Sequence, residues 1–308
     1  MLLWILAFCF VIYDIGRMHI KNILAARKIN LSFEFFPPKT AEGMERLFQT
    51  ISYLQSLCPS FVSITYGAGG GRHHLTSTLL AKLKAQTSLE LVAHLTMAQN
   101  TPASLRSALA QYQQMGIENV MALRGDPGES GPPPVGHAIE LVQLVRQEFG
   151  QMGVGVAGFP EGHPECPNRL QEMDYLKAKV DAGADYICTQ LFFDNHDFYD
   201  FRERCILAGI KVPILAGIMP LTSLSSMQRM AALALGMHFP AKLLRAVGRA
   251  SSSAGVEEVG IHWATEQVRD LIDHEVAGIH FYTLNHSTAT QRIWQGLGLR
   301  SALDLAEN

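Results

Sequence analysis

The sequence predicts a single (β/α)8 barrel, the TIM-barrel form of the α/β class, with extra helices before the last strand. Three observations predict it. Eight short apolar runs recur along the 308 residues, and seven of them end on a polar, glycine-rich or proline-bounded loop. A helix-length stretch separates each run from the next, and strands alternating with helices imply βα units and a parallel sheet. Glycine recurs just before a strand in Met115-Gly116-Ile117, Ala182-Gly183-Ala184, Ala208-Gly209-Ile210 and Ala277-Gly278-Ile279. There it suits the left-handed position that stops a helix.

The strands are predicted at Leu31–Phe35, Phe61–Thr65, Leu91–Leu95, Val120–Leu123, Val154–Phe159, Tyr186–Gln190, Ile214–Ile218 and Ile279–Thr283. Chemistry in this fold gathers on the loops after the strands' C-terminal ends. The first strand carries Glu34 in a run of phenylalanines, on the same face as Ser32. An inward carboxylate near an apolar mouth is expected to have its pKa raised and to act as a general acid; pairing with a core cation is the plainer alternative. The second strand ends at Thr65 and leads into Gly67–Gly71, which is neither GxGxxG nor a P-loop. The third carries His94, and a lone strand histidine is more often a satisfied core residue.

The fourth ends in Leu123-Arg124-Gly125-Asp126, a charge pair around a glycine whose plain alternative is a local Arg–Asp pair. The loop 125–136 is too rich in Pro and Gly for helix or strand. The fifth leads into Phe159-Pro160-Glu161-Gly162-His163, where prolines position His163. Lys177 and Lys179 follow, either able to reach a phosphate, although solvated lysines are the default. The sixth ends at Gln190, whose amide suits the edge of a heterocycle. The last ends in Tyr282-Thr283-Leu284-Asn285. Before it, residues 222–275 are predicted to form two or three helices broken near 238–240 and 251–253.

Composition narrows the function. With 25 Lys+Arg against 28 Asp+Glu, nothing marks a nucleic-acid or anionic-membrane surface. Five scattered cysteines without CxxC suggest a reducing compartment, hence the cytoplasm, and no metal-ligand spacing occurs. No GxSxG elbow and no strand-end lysine for a Schiff base is present. One acid among apolar and amide groups suggests a bound organic cofactor. Residues 1–17 begin with the apolar Met1–Tyr13, too short for a membrane span. They are expected to be an extension from a mis-assigned start, ahead of a catalytic barrel at 18–308; a membrane-associating segment is the alternative.

The motifs Ser32-Phe33-Glu34-Phe35-Phe36-Pro37-Pro38, Phe61–Ala68, Ala122–Asp126, His163-Pro164-Glu165, Lys179–Asp185, Thr189-Gln190 and His280–Asn285 follow one another along the chain. Together they resemble the methylenetetrahydrofolate reductase family, in its short form without a C-terminal regulatory domain. The resemblance implies an FAD enzyme that reduces 5,10-methylenetetrahydrofolate to 5-methyltetrahydrofolate with NADH or NADPH. It implies ping-pong kinetics, a place feeding methionine synthesis, and a homo-oligomer. Glu34 would be the general acid, and Asp126 would tune the flavin. Thr65, His94, Leu123, Arg124, Gly125, Asp126, Phe159, His163, Glu172 and Lys179 would line FAD. Gln190, Tyr282, His286 and Glu34 would meet the folate.

Four departures from the family pattern stand out. His286 replaces an arginine for the folate tail, Phe159 a tyrosine, Glu172 an aspartate at the adenosine end, and Met230 an aromatic near the nicotinamide. The competing readings are a folate-binding barrel methyltransferase, which needs cobalamin or zinc, and a barrel that has lost catalysis.

Overall fold

A computed structural model describes residues 18–66, 73–125, 136–234 and 236–305. A short helix α1 (Ile20–Ala25) precedes the barrel. Then follow β1 (Asn30–Phe35), α2 (Ala41–Gln55), β2 (Phe61–Ile64), α3 (His73–Gln86), β3 (Leu91–Thr96), α4 (Pro102–Gln114), β4 (Asn119–Leu123), α5 (Ala138–Glu148), β5 (Gly153–Gly158), α6 (Arg169–Asp181), β6 (Tyr186–Thr189), α7 (Asn195–Leu207) and β7 (Ile214–Ile218). Three helices α8 (Leu224–Leu233), α9 (Ala241–Arg249) and α10 (Ser253–Asp273) precede β8 (Gly278–Tyr282), and α11 (Thr288–Gly296) follows. All strand pairs are parallel, and β1 pairs with β8 to close the barrel. Every predicted strand lies within one residue of the observed one, and the helices before β8 break where expected.

Alternation along the strands builds two cores. Leu31, Phe33 and Phe35 pack outward under the helices with Val62, Ile64 and Leu95. The other parity points inward, where Phe61, Val92, Met121, Tyr186 and Leu215 meet Ile20, Ile23 and Leu24 of α1. Helix α1 thus plugs the N-terminal end of the barrel. Asn119 fixes the plug: it accepts from the Ile20 N–H at 2.7 Å and donates to the Met18 carbonyl at 3.0 Å. The interior is also filled unevenly. A Cβ on Gly155 would lie 2.3 Å from the Tyr186 ring, so the tyrosine occupies space that a glycine leaves open.

Gly116, Gly183 and Gly209 have φ of +73°, +118° and +76°, as a helix-stopping glycine requires. Gly278 does not. It opens β8, and its added Cβ would stand 2.7 Å from the Asn30 carbonyl oxygen, so close strand approach explains it. The left-handed residue at that helix exit is Glu275, with φ +50°. Among the described residues, no helix is long and apolar enough to cross a membrane. Residues 1–17, the glycines 67–71, and 126–135 with Asp126 lie outside the described residues.

Candidate active site

The C-terminal strand ends surround a cleft of about 1660 Å³. That exceeds the roughly 300–1,000 Å³ typical of a single small-ligand pocket. Glu34, the fifth residue of β1, stands at its floor with its side chain 20% exposed. Its Oε2 lies 3.4 Å from His94 Nε2 and 3.7 Å from His280 Nε2. His280 Nδ1 in turn lies 2.8 Å from Ser32 Oγ. Strand parity brings these groups together, since Ser32 pairs with His280 and Glu34 with Tyr282 across the β1–β8 seam.

This setting corrects the expected electrostatics of Glu34. Burial does push its pKa up, but the charge of His94 and the hydrogen bond and charge of His280 outweigh it, and the net shift is downward. His94 is also lowered, by burial above all, with Glu34 working in the opposite direction. The sequence showed the phenylalanines around Glu34 but not the imidazoles, which arrive from β3 and β8.

The loop after β8 secures the same spot. Thr283 Oγ1 donates to the Glu34 carbonyl at 2.7 Å. Asn285, held at φ +63°, accepts from the Phe36 N–H at 3.0 Å and donates to the Phe36 carbonyl at 2.8 Å. The Tyr282 hydroxyl donates to the Thr189 carbonyl at 2.6 Å, tying the β8 end to β6. Gln190 lines the cleft, its Oε1 accepting from the Leu191 N–H at 2.9 Å.

The opposite wall carries the charged groups. Lys179 donates to the Ala157 carbonyl at 2.9 Å. Its side chain is partly open to the cleft, yet protein surrounds the amine. Desolvation lowers it to about 8, partly offset by Glu172. Lys177 instead turns outward to Asp181 at 2.6 Å, so only one of the two candidate lysines lines the cleft. Glu172 is buried; its Oε1 accepts from the His163 N–H at 2.7 Å, and its Oε2 is buried without a hydrogen-bond partner. The His163 ring stands perpendicular to Phe159, with centroids 4.8 Å apart. Arg124 pairs with Glu165 across the cleft. Gly125 has φ +78°, and a Cβ there would meet Ala98 at 2.8 Å. Thr65 and Leu123 complete this lining.

Two residues stand elsewhere. His286 is exposed and outside the cleft lining. Met230 is 1% exposed, packed with Leu191, Phe193 and Met219 behind the wall. Sequence spacing held no metal-ligand set, but the fold gathers Glu161, Asp197 and His238 with ligand atoms within 4.8 Å of one another. His238 is ion-paired directly to Glu161, and its backbone N–H donates to the same carboxylate at 2.8 Å. The trio therefore ties the α8–α9 segment to the β5 loop. His280 is the residue that sequence reasoning missed; its inward parity with Tyr282 was the available signal.

Comparison with known proteins shows the family of the chain. The family model described as methylenetetrahydrofolate reductase matches residues 19–298. The 5,10-methylenetetrahydrofolate reductase of Escherichia coli is 38% identical over 278 residues, covering 90% of this chain and 93% of that one. Methylenetetrahydrofolate reductase (NADH) 1 of Arabidopsis thaliana is 37% identical over 297 residues, 91% of this chain and 50% of that protein. A solved structure of an uncharacterized Clostridium thermocellum protein, described as binding two copies of 5-methyl-5,6,7,8-tetrahydrofolic acid, aligns with TM-score 0.66 at 15% identity. It covers 92% of this chain and 99% of that chain, and it supports the barrel fold.

Proposed function

The chain belongs to the methylenetetrahydrofolate reductase family, and on that premise we propose that it reduces 5,10-methylenetetrahydrofolate to 5-methyltetrahydrofolate with NADH or NADPH, in ping-pong fashion through FAD. The observation that carries this reading is Glu34 on the cleft floor against His94 and His280, opposite a wall bearing Lys179, Glu172 and His163.

The residues fit an FAD. The cleft has room for a dinucleotide and a second ligand. Glu172 Oε2 lies 3.6 Å from Arg169 Nη1 and accepts no hydrogen bond, so it offers an acceptor to a ribose hydroxyl. The Lys179 amine and the His163 ring suit phosphate oxygens. FAD held by these residues would supply the two-electron chemistry that links a nicotinamide to the methylene carbon. Gln190 and Tyr282 would hold the pterin edge, Glu34 would give a proton to the folate nitrogen, and the C–N bond of the five-membered ring would open. The iminium left behind gains hydride to become the methyl group. The carboxylate formed at Glu34 remains stabilised by His94 and His280. Asp126, by resemblance, would steady the cationic stage, and His286 would meet the folate tail.

The same reading takes residues 18–308 as the catalytic unit, working as a cytoplasmic homo-oligomer that feeds methionine synthesis. The folate ligand of the Clostridium thermocellum protein supports a folate cleft in this type of barrel. Initial rates of NADH oxidation against methylenetetrahydrofolate test the proposal. Parallel double-reciprocal lines are expected; intersecting lines would contradict alternate use of one site, and no folate-dependent oxidation would overturn the reading.

Lys179 makes a pH prediction. Its amine, lowered to about 8, loses charge as pH rises through that region, and phosphate contact weakens with it. FAD affinity, measured by quenching of flavin fluorescence, should fall roughly tenfold from about pH 7 to about pH 9.5. Lys179→Met should bind more weakly at neutral pH and show no such dependence. An unchanged slope in that variant would remove Lys179 from the phosphate site.

A further inference from the structure

Ser63 is 2% exposed and lies on β2 directly opposite Glu34 in the β1–β2 register. It shares inward parity with Phe61 and Thr65 and lines the cleft beside Glu34 and His94. Its Oγ is buried and has no hydrogen-bond partner. A hydroxyl carries one donor and two acceptor positions, and buried hydroxyls are nearly always satisfied by protein or by a bound atom.

The polar neighbours on the floor are engaged elsewhere. Ser32 faces His280, and both imidazoles approach Oε2 of Glu34. Thr189 Oγ1 accepts from the Gly217 N–H at 2.9 Å, and Tyr282 donates to the Thr189 carbonyl. Since Oε2 serves the imidazoles, the second oxygen of Glu34 is left for the cleft. A small apolar residue would fill the Ser63 position equally well in an ordinary barrel interior, so the hydroxyl has a reason only if something polar arrives there.

We propose that Ser63 is a positioning residue for the proton that Glu34 delivers: its hydroxyl holds, against the cleft-facing oxygen of Glu34, the atom that receives that proton. Before substrate binds, that atom is a water; afterwards it is a substrate nitrogen. The hydroxyl neither gains nor loses a proton overall, because it donates to a lone pair before the transfer and accepts from the new N–H after it. The inference rests on the reductase reading.

Ser63→Ala and Ser63→Thr test it in the flavin-loaded enzyme under anaerobic stopped flow. In Ser63→Ala, reoxidation by methylenetetrahydrofolate should slow roughly tenfold, the scale of one lost hydrogen bond in a preorganised site. Bleaching by NADH serves as the internal reference and should change far less. Ser63→Thr, which keeps the hydroxyl, should recover most of the rate. The pH at which the folate step declines should move in Ser63→Ala and return in Ser63→Thr. The unliganded Ser63→Ala protein should melt no lower than wild type, because an unpartnered hydroxyl adds nothing to packing; a merely structural serine would lower it.

Wild-type reoxidation rates and an unmoved pH profile in Ser63→Ala would overturn the proposal. A wild-type enzyme that fails to bleach and recover would instead overturn the reductase reading beneath it. Were Ser63→Ala to misfold, Ser63→Thr at less than a tenth of the wild-type folate rate would count against the proposal, and near-wild-type turnover would support it.

Discussion

Glu34→Gln is expected to retain FAD and to be bleached by NADH, yet to reduce methylenetetrahydrofolate roughly 10²–10⁴-fold more slowly, the range for loss of a positioned general acid. Glutamine keeps the shape and one acceptor oxygen but has no acidic proton to deliver. The hydride step from nicotinamide needs no proton from this side chain, so the two half-reactions should separate. The downward shift of Glu34 sharpens the prediction. A carboxyl held below its ordinary range by His94 and His280 is ionised in the free enzyme near neutrality. The proton it delivers must therefore be taken up from solvent as substrate closes the cleft and further desolvation raises the carboxyl. Replacing His94 or His280 by Gln should therefore move the pH profile of the folate half-reaction while leaving the NADH half-reaction in place. A Glu34→Gln enzyme with near-normal folate turnover would refute the general-acid assignment.

The largest effect on stability is expected at Gly260. This glycine lies within α10, where a Cβ would stand 1.7 Å from the Leu221 carbonyl oxygen and 2.6 Å from its carbon. Both atoms are backbone, so no side-chain rotation relieves the overlap. Leu221 is 1% exposed and packs with Met219 and Met230 behind the cleft wall. Gly260→Ala should cost about 3 kcal/mol, at the upper end of overpacking penalties, and should lower the unfolding midpoint by roughly 5–10 °C. Gly248, in the neighbouring α9, has nothing within 4 Å of an added Cβ. Gly248→Ala should instead gain about 0.5–1 kcal/mol, from removing an entropic penalty in a helix. Thermal melts of the pair give opposite signs for one chemical change; equal shifts would contradict the packing of α10 on Leu221.

The barrel was legible in the sequence because each strand is an apolar run closed by a polar or glycine-rich loop, a signal local to a few residues. The helices before β8 were legible for the same reason, from His238-Phe239-Pro240 and the serines at 251–253. Glu34 as a cleft residue was legible from its place at a strand end. Its electrostatics were not, since the groups that set them arrive from β3 and β8. Distance along the chain also hid the meeting of Glu161, Asp197 and His238. Lys177 and Lys179 differ by two positions on a helix and thus face opposite ways, which fixes only one of them to the cleft. Gly278 looked like three other helix exits, yet the contact that demands it comes from Asn30 across the barrel seam.

The central claim is that one cleft passes electrons from a nicotinamide to a folate. An anaerobic absorption cycle on the purified protein tests it most directly. The account predicts flavin bands that bleach on adding NADH or NADPH and return on adding 5,10-methylenetetrahydrofolate, with 5-methyltetrahydrofolate as product. A protein that takes up no FAD, or a reduced flavin that the folate leaves bleached, would contradict it.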